Sequence, residues 1–166
     1  IRKEFTLPTR SKFICKNFDL ISDQEPFDVP RLIFKNEICK CFFKPDLNYS
    51  LPHGFIYIHF LSPLTQSSVE NLNMTSIYSM CIKSFLSEKL YPATLVGYSY
   101  KLNATDNGLI LRLSGFNEKL PLILDIISKA MRNINEIADK IKFDNFKKDL
   151  RKNCYNFLIN SNQFIE

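Results

Sequence analysis

Residues 98–113 read YSYKLNATDNGLILRL. Two strand-forming runs, Tyr98–Leu102 and Leu109–Leu113, flank Asn107-Gly108. That dipeptide accepts the left-handed backbone of a tight hairpin turn. A hairpin here makes the sheet antiparallel. Leu109, Leu111 and Leu113 alternate with Ile110, Arg112 and Ser114, so one face is apolar and Arg112 points to the more solvated side.

The same reading extends in both directions. Upstream, Pro92 and Gly97 end a long helix and start a short second segment. Ser67 stands three residues before Glu70, the spacing of a capping box. Met74, Ile77, Tyr78, Cys81, Phe85 and Leu86 recur at three- to four-residue steps and predict one apolar helix face. Before the helix, Phe55–Leu61 reads FIYIHFL. Its unbroken apolarity predicts a central strand covered on both faces and stopped by Ser62-Pro63. Leu32–Phe34 and Ile38–Phe43 form a second hairpin candidate around Asn36-Glu37. Downstream, Asn117 is placed to cap a helix whose first turn holds Pro121. Leu120, Ile123, Leu124, Ile127, Ala130 and Met131 supply its stripe. A last helix, Phe143–Ile159, sets Phe143, Phe146, Leu150, Cys154, Phe157 and Leu158 against Lys147, Lys148, Arg151 and Lys152. The order β-β-β-α-β-β-α-α predicts an α+β fold, an antiparallel sheet with helices packed on one side. Residues 1–30, punctuated by Pro8, Pro26 and Pro30, read as an extended lead-in to a domain over 31–166.

Composition bounds the function. The chain has 166 residues, 45% of them hydrophobic and 23% charged, the balance of a single globular domain. A net charge of +5, with Lys, Asp and Glu interleaved, gives no dedicated nucleic-acid face. The run Lys140–Lys152 is broken by Asp144 and Asp149 and reads as a solvated helix face. A basic nucleic-acid module built on Lys147, Lys148, Arg151 and Lys152 is the weaker alternative, and no nucleic-acid partner is expected. No apolar run is long enough to span a membrane, and the first residues carry no signal-peptide stretch. Five cysteines, an odd number with no C-x-x-C, speak against a disulfide framework or a zinc ribbon. Free thiols fit a reducing, cytoplasmic compartment. Sequons at Asn48, Asn73 and Asn103 are read as chance matches, because Asn73 falls inside a predicted helix.

Catalytic chemistry finds little footing. His53 and His59 are six positions apart on one strand, roughly 20 Å, too far to share a zinc unless the chain bends at Gly54. Cys39 and Cys41 read as small core hydrophobes rather than thiolate ligands. Four glycines and no Gly-rich loop leave phosphate cradling unsupported. No catalytic, cofactor-binding or metal-ligating residue is assigned.

Several phrases in series resemble a known family. They are LPTRSKFICKNF at 7–18, FIYIHFLSPL at 55–64, Asn73-Met74 opening a helix, LVGYSYKL at 95–102 and GLILRLSGFNEKLP at 108–121. In this order they resemble the middle region of the insulin-degrading enzyme and nardilysin group of inverted-zincin, pitrilysin-type metallopeptidases. The 108–122 stretch leans toward nardilysin. Cys15-Lys16 departs from the family phrase. The resemblance implies a partial third, non-catalytic domain of a zinc metalloendopeptidase, entered after the linker between halves and forming part of the wall of a peptide-enclosing chamber. The zinc would belong to the catalytic domain of the parent, because the helix 68–90 has no His and so no H-x-x-E-H. Partners would be the other domains of the parent and, indirectly, peptides, with self-association of the fragment along an unpaired sheet edge. The alternative is a stand-alone protein-interaction module of the same fold.

Overall fold

The computed structural model describes residues 10–20, 29–46, 49, 51–138 and 140–159. Asn48, Pro8, Pro26 and the side chain of Leu158 lie outside the described part.

The hairpin at the centre of the sequence forms. Strands β4 (Ser99–Thr105) and β5 (Gly108–Phe116) pair antiparallel from Ser99↔Ser114 to Thr105↔Gly108. The two turn residues are Asp106 and Asn107, and Gly108 opens β5 at φ +135. An added Cβ at Gly108 would collide with the Phe60 carbonyl oxygen. This glycine thus admits β5 against the end of β3 (His53–Leu61). Strand β3 pairs with β5 along its whole length, and the order is β3-β5-β4, all antiparallel.

That order corrects one expectation. Phe55–Leu61 is not a central strand covered on both faces. Among the described residues it is an edge strand, and its side chains alternate between a packed face and an open one. An apolar run reads as doubly buried only when tyrosine and histidine are counted as core residues. Their polar tips let both rings stand at a wet surface, and Phe55 and Leu61 stand exposed beside them because nothing among the described residues covers this face.

The packed face carries the core. Leu102 of β4 and Leu111 of β5 are 0% and 1% exposed, as are Ile82, Leu86 and Ile127 of the covering helices at 0%. Helix α1 (Pro63–Ser67) leads into α2 (Val69–Lys89), followed by α3 (Tyr91–Thr94). The N-cap of α2 is Ser68, whose hydroxyl accepts from the Asn71 N–H at 3.1 Å. Ser67 instead bonds the Leu64 carbonyl, so the cap lies one residue beyond the predicted box. Helix α2 buries Ile77, Ser79, Cys81, Ile82 and Leu86, while Met74 is 53% exposed. It is apolar on more than one side because it lies between β4 and the later helices.

After β5, Asn117–Lys119 forms a 3₁₀ turn rather than the expected Asn117 cap, and α4 (Leu120–Arg132) starts behind it. Its stripe buries Leu120, Ile123, Ile127 and Ala130 as predicted. The Tyr78 hydroxyl donates to the Met131 carbonyl at 2.8 Å and ties α2 to α4. Helix α5 (Ile134–Ile137) and helix α6 (Lys140–Ile159) complete the layer, with α6 against α2. Phe143, Phe146 and Leu150 of α6 are half-buried, whereas Cys154 and Phe157 are exposed.

Strands β1 (Arg31–Lys35) and β2 (Lys40–Phe43) form a separate antiparallel ribbon. Its turn is wider than Asn36-Glu37. Asn36 Oδ1 accepts from the Ile38 and Cys39 N–H groups at 3.0 and 2.6 Å, so Ile38 and Cys39 leave the strand. Cys39 and Cys41 are exposed, not core residues, because the ribbon stands apart from the three-stranded sheet.

Candidate functional site

Helices cover one face of the β3-β5-β4 sheet, so its other face is the natural place for function. Directly paired residues share a face. The outward row on β3 is therefore His53, Phe55, Tyr57, His59 and Leu61. Opposite it on β5 stand Phe116, Ser114, Arg112 and Ile110, with Ser99, Lys101 and Asn103 on β4. Phe55 is 80% exposed, Tyr57 59% and Leu61 71%, a contiguous apolar and aromatic stripe along one strand.

Arg112 sits in the middle. Its Nη2 donates to the Tyr57 hydroxyl at 3.0 Å, and its guanidinium lies 4.9 Å from the centre of the Tyr57 ring. On its other side, across the β4 pairing, stands Lys101, a like charge directly opposite. No carboxylate occurs in the outward rows of the three strands. Chemically this face offers aromatic contact area, two cations, and two imidazoles, His53 and His59, set six positions apart with no carboxylate in their rows.

The remaining sequence candidates are scattered. His53 and His59 stand at opposite ends of a continuous strand, paired with Phe116 and Ile110, and the chain does not fold back at Gly54. His53 instead packs against Phe55 and Phe116, with ring centres 5.2 and 6.2 Å apart. Among the described residues no group of three or more His, Cys, Asp or Glu is placed to hold a metal. Lys147, Lys148, Arg151 and Lys152 are exposed along α6. No described helix is long and apolar enough to cross a membrane. On the helix side, a cleft of about 380 Å³ is bordered by Lys12, Phe85, Lys89, Lys129 and Glu136, with Lys129 engaged by Asp125 at 2.6 Å.

One polar junction was not singled out from sequence. Glu118, in the 3₁₀ turn after β5, reaches the chain around Lys16, and its carboxyl lies well below the usual range. The Lys119 ammonium and the backbone N–H groups of Asn17 and Lys16 hold it there. Beside it, burial pushes the Cys15 thiol up. Burial also raises the Tyr98 hydroxyl to about 12. The signal was present in the phrase GFNEKLP, but an acid next to a lysine ordinarily marks a solvated surface.

Comparison with known proteins gives this geometry its context. The family described as the middle or third domain of peptidase M16 matches residues 1–165. Insulin-degrading enzyme of Homo sapiens is 33% identical over 155 residues, covering 93% of this chain and 15% of that protein. Nardilysin of Homo sapiens is 30% identical over 164 residues, covering 96% of this chain and 14% of that protein. The A-factor-processing enzyme of Saccharomyces cerevisiae is 31% identical over 137 residues, covering 81% of this chain and 13% of that protein. A crystal structure of pitrilysin superposes with a TM-score of 0.79 at 20% identity, over 89% of this chain and 16% of that one. The chain thus spans about a seventh of the length of the relatives it matches. Matched along almost all of its length, and folded like a segment of pitrilysin, this chain belongs to the middle-domain family of the M16 peptidases.

Proposed function

We propose that the chain is a non-catalytic structural middle domain of a zinc metalloendopeptidase and forms part of the wall of a peptide-enclosing chamber. The observation that carries this reading is the sheet face turned away from the helices, with its exposed aromatic row and the Arg112–Tyr57 pair. A layer packed on one side only presents its other side to another body. The zinc would belong to a catalytic domain elsewhere in the parent polypeptide, a reading supported by the match to the middle or third domain of peptidase M16. Three exposed free thiols, Cys39, Cys41 and Cys154, support a reducing, cytoplasmic setting.

The test is steric. In the full-length polypeptide, with Cys39, Cys41 and Cys154 replaced by Ser, Tyr57→Cys places a reporter on the face. A chamber wall predicts labelling by a small maleimide, slow labelling by a bulky polymer maleimide, and protection from both by a bound peptide. Equal labelling by both reagents would put the face on the outside of the molecule. Labelling by neither would put it inside an interdomain contact.

A further inference from the structure

Residues Ser11–Leu20 contain no strand or helix, so their backbone N–H groups must find partners outside a ladder; those of Phe13, Ile14 and Asp19 find them within the stretch. Two other, successive ones point at a single oxygen. The Lys16 and Asn17 N–H groups donate to Glu118 Oε2 at 2.5 and 2.8 Å, across 102 and 101 positions of sequence. The other oxygen, Oε1, takes the Lys119 ammonium. Within the same stretch the Cys15 thiol donates to the Asn17 carbonyl at 2.9 Å. Phe13 and Cys15 are 2% and 9% exposed. Phe18 meets Phe116 edge-on, with ring centres 5.4 Å apart. The stretch is thus a strap, with Phe13 buried in the core at one end, the Phe18–Phe116 ring contact at the other and one carboxylate between them.

Hydrogen bonds to an ionised acceptor are about twice as strong as neutral ones. A carboxylate shared by consecutive amides also fixes the direction of the chain. We infer that Glu118 is the lock of this strap, a positioning residue that holds residues 11–20 closed over Cys15. Access to that thiol is then set by a side chain more than a hundred positions away in sequence. None of these bonds belongs to the β3-β5-β4 ladder, so the part of the strap beyond the core residue Phe13 can lift while the sheet stays formed.

Two peptide-resolved readouts on the full-length polypeptide test this: thiol labelling and hydrogen exchange of the strap amides. In Glu118→Gln, Cys15 should label about tenfold faster than in the wild type, the factor expected when a charge-assisted bond is lost. The Lys16 and Asn17 amides should lose protection in step. Cys81, buried in α2, serves as the internal control and should keep its rate. Unchanged exchange of the Lys16 and Asn17 amides would overturn the inference even if Cys15 labels faster, because the Glu118 carboxylate also acts directly on the thiol. So would equal acceleration at Cys15 and Cys81, which would make Glu118 a support of the whole fold. If Glu118→Gln does not fold, the wild type still decides, because exchange of the Lys16 and Asn17 amides at free-chain rates means the strap is not locked.

Discussion

Leu111 and Phe55 lie on paired strands at opposite extremes of exposure, 1% and 80%. Leu111→Ala should cost about 2–5 kcal/mol, because the neighbouring core side chains cannot fully collapse into the space it leaves. Phe55→Ala should stay within about 0.5 kcal/mol. Denaturant midpoints at constant slope separate the two, and a large effect at Phe55 would show that this ring is packed in solution. Tyr98 gives a prediction in pH. Its folded value of about 12 lies above the ordinary 10, so the folded state holds the proton more tightly than the unfolded one. The resulting stabilisation is complete below pH 10 and is lost as pH rises from 10 toward 12. Tyr98→Phe should remove that part of the alkaline decline in melting temperature, and an unchanged decline would refute the assignment. The alternation Leu109, Leu111, Leu113 was legible from sequence because period two and a glycine turn agree. The exposure of Cys39, Cys41 and Cys154 was not, because a cysteine reads as apolar whether or not anything covers it.

Element boundaries follow capping and turn chemistry more closely than hydrophobic pattern. Asn36→Ala removes the acceptor of two turn amides, and should cost about 1 kcal/mol, confined to the ribbon. Hydrogen exchange should quicken in β1 and β2 and hold steady in β5. Gly108→Ala joins a positive φ to a collision with the Phe60 carbonyl. It should destabilise by about 1–3 kcal/mol and loosen the end of β3. Sequence placed α2 and the β4–β5 hairpin because each carries two signals, a stripe with a cap or an alternation with a turn, although the cap is Ser68 rather than Ser67 and the turn residues are Asp106 and Asn107. It misjudged β3, whose partner count depends on which strands lie beside it. It also misread the start of α4, where Asn117 has the chemistry of a cap but the chain takes a 3₁₀ turn first. The bare face could not be read at all, since burial on the second side of a sheet is a property of the assembled layers.

At the scale of the whole molecule, the isolated chain should carry no tightly bound zinc and cleave no peptide. About one zinc per chain after dialysis would contradict this. The ribbon has a further consequence. Strands β1 and β2 contact each other and make no substantial contact with another described element, while Leu32, Ile33 and Phe34 are 49%, 61% and 54% exposed. A two-stranded ribbon on its own is marginal in water. The ribbon is therefore expected to melt more readily than the three-stranded sheet. The calorimetric enthalpy of unfolding should exceed the van't Hoff value. Mild proteolysis should nick the ribbon while the three-stranded sheet survives as a resistant kernel.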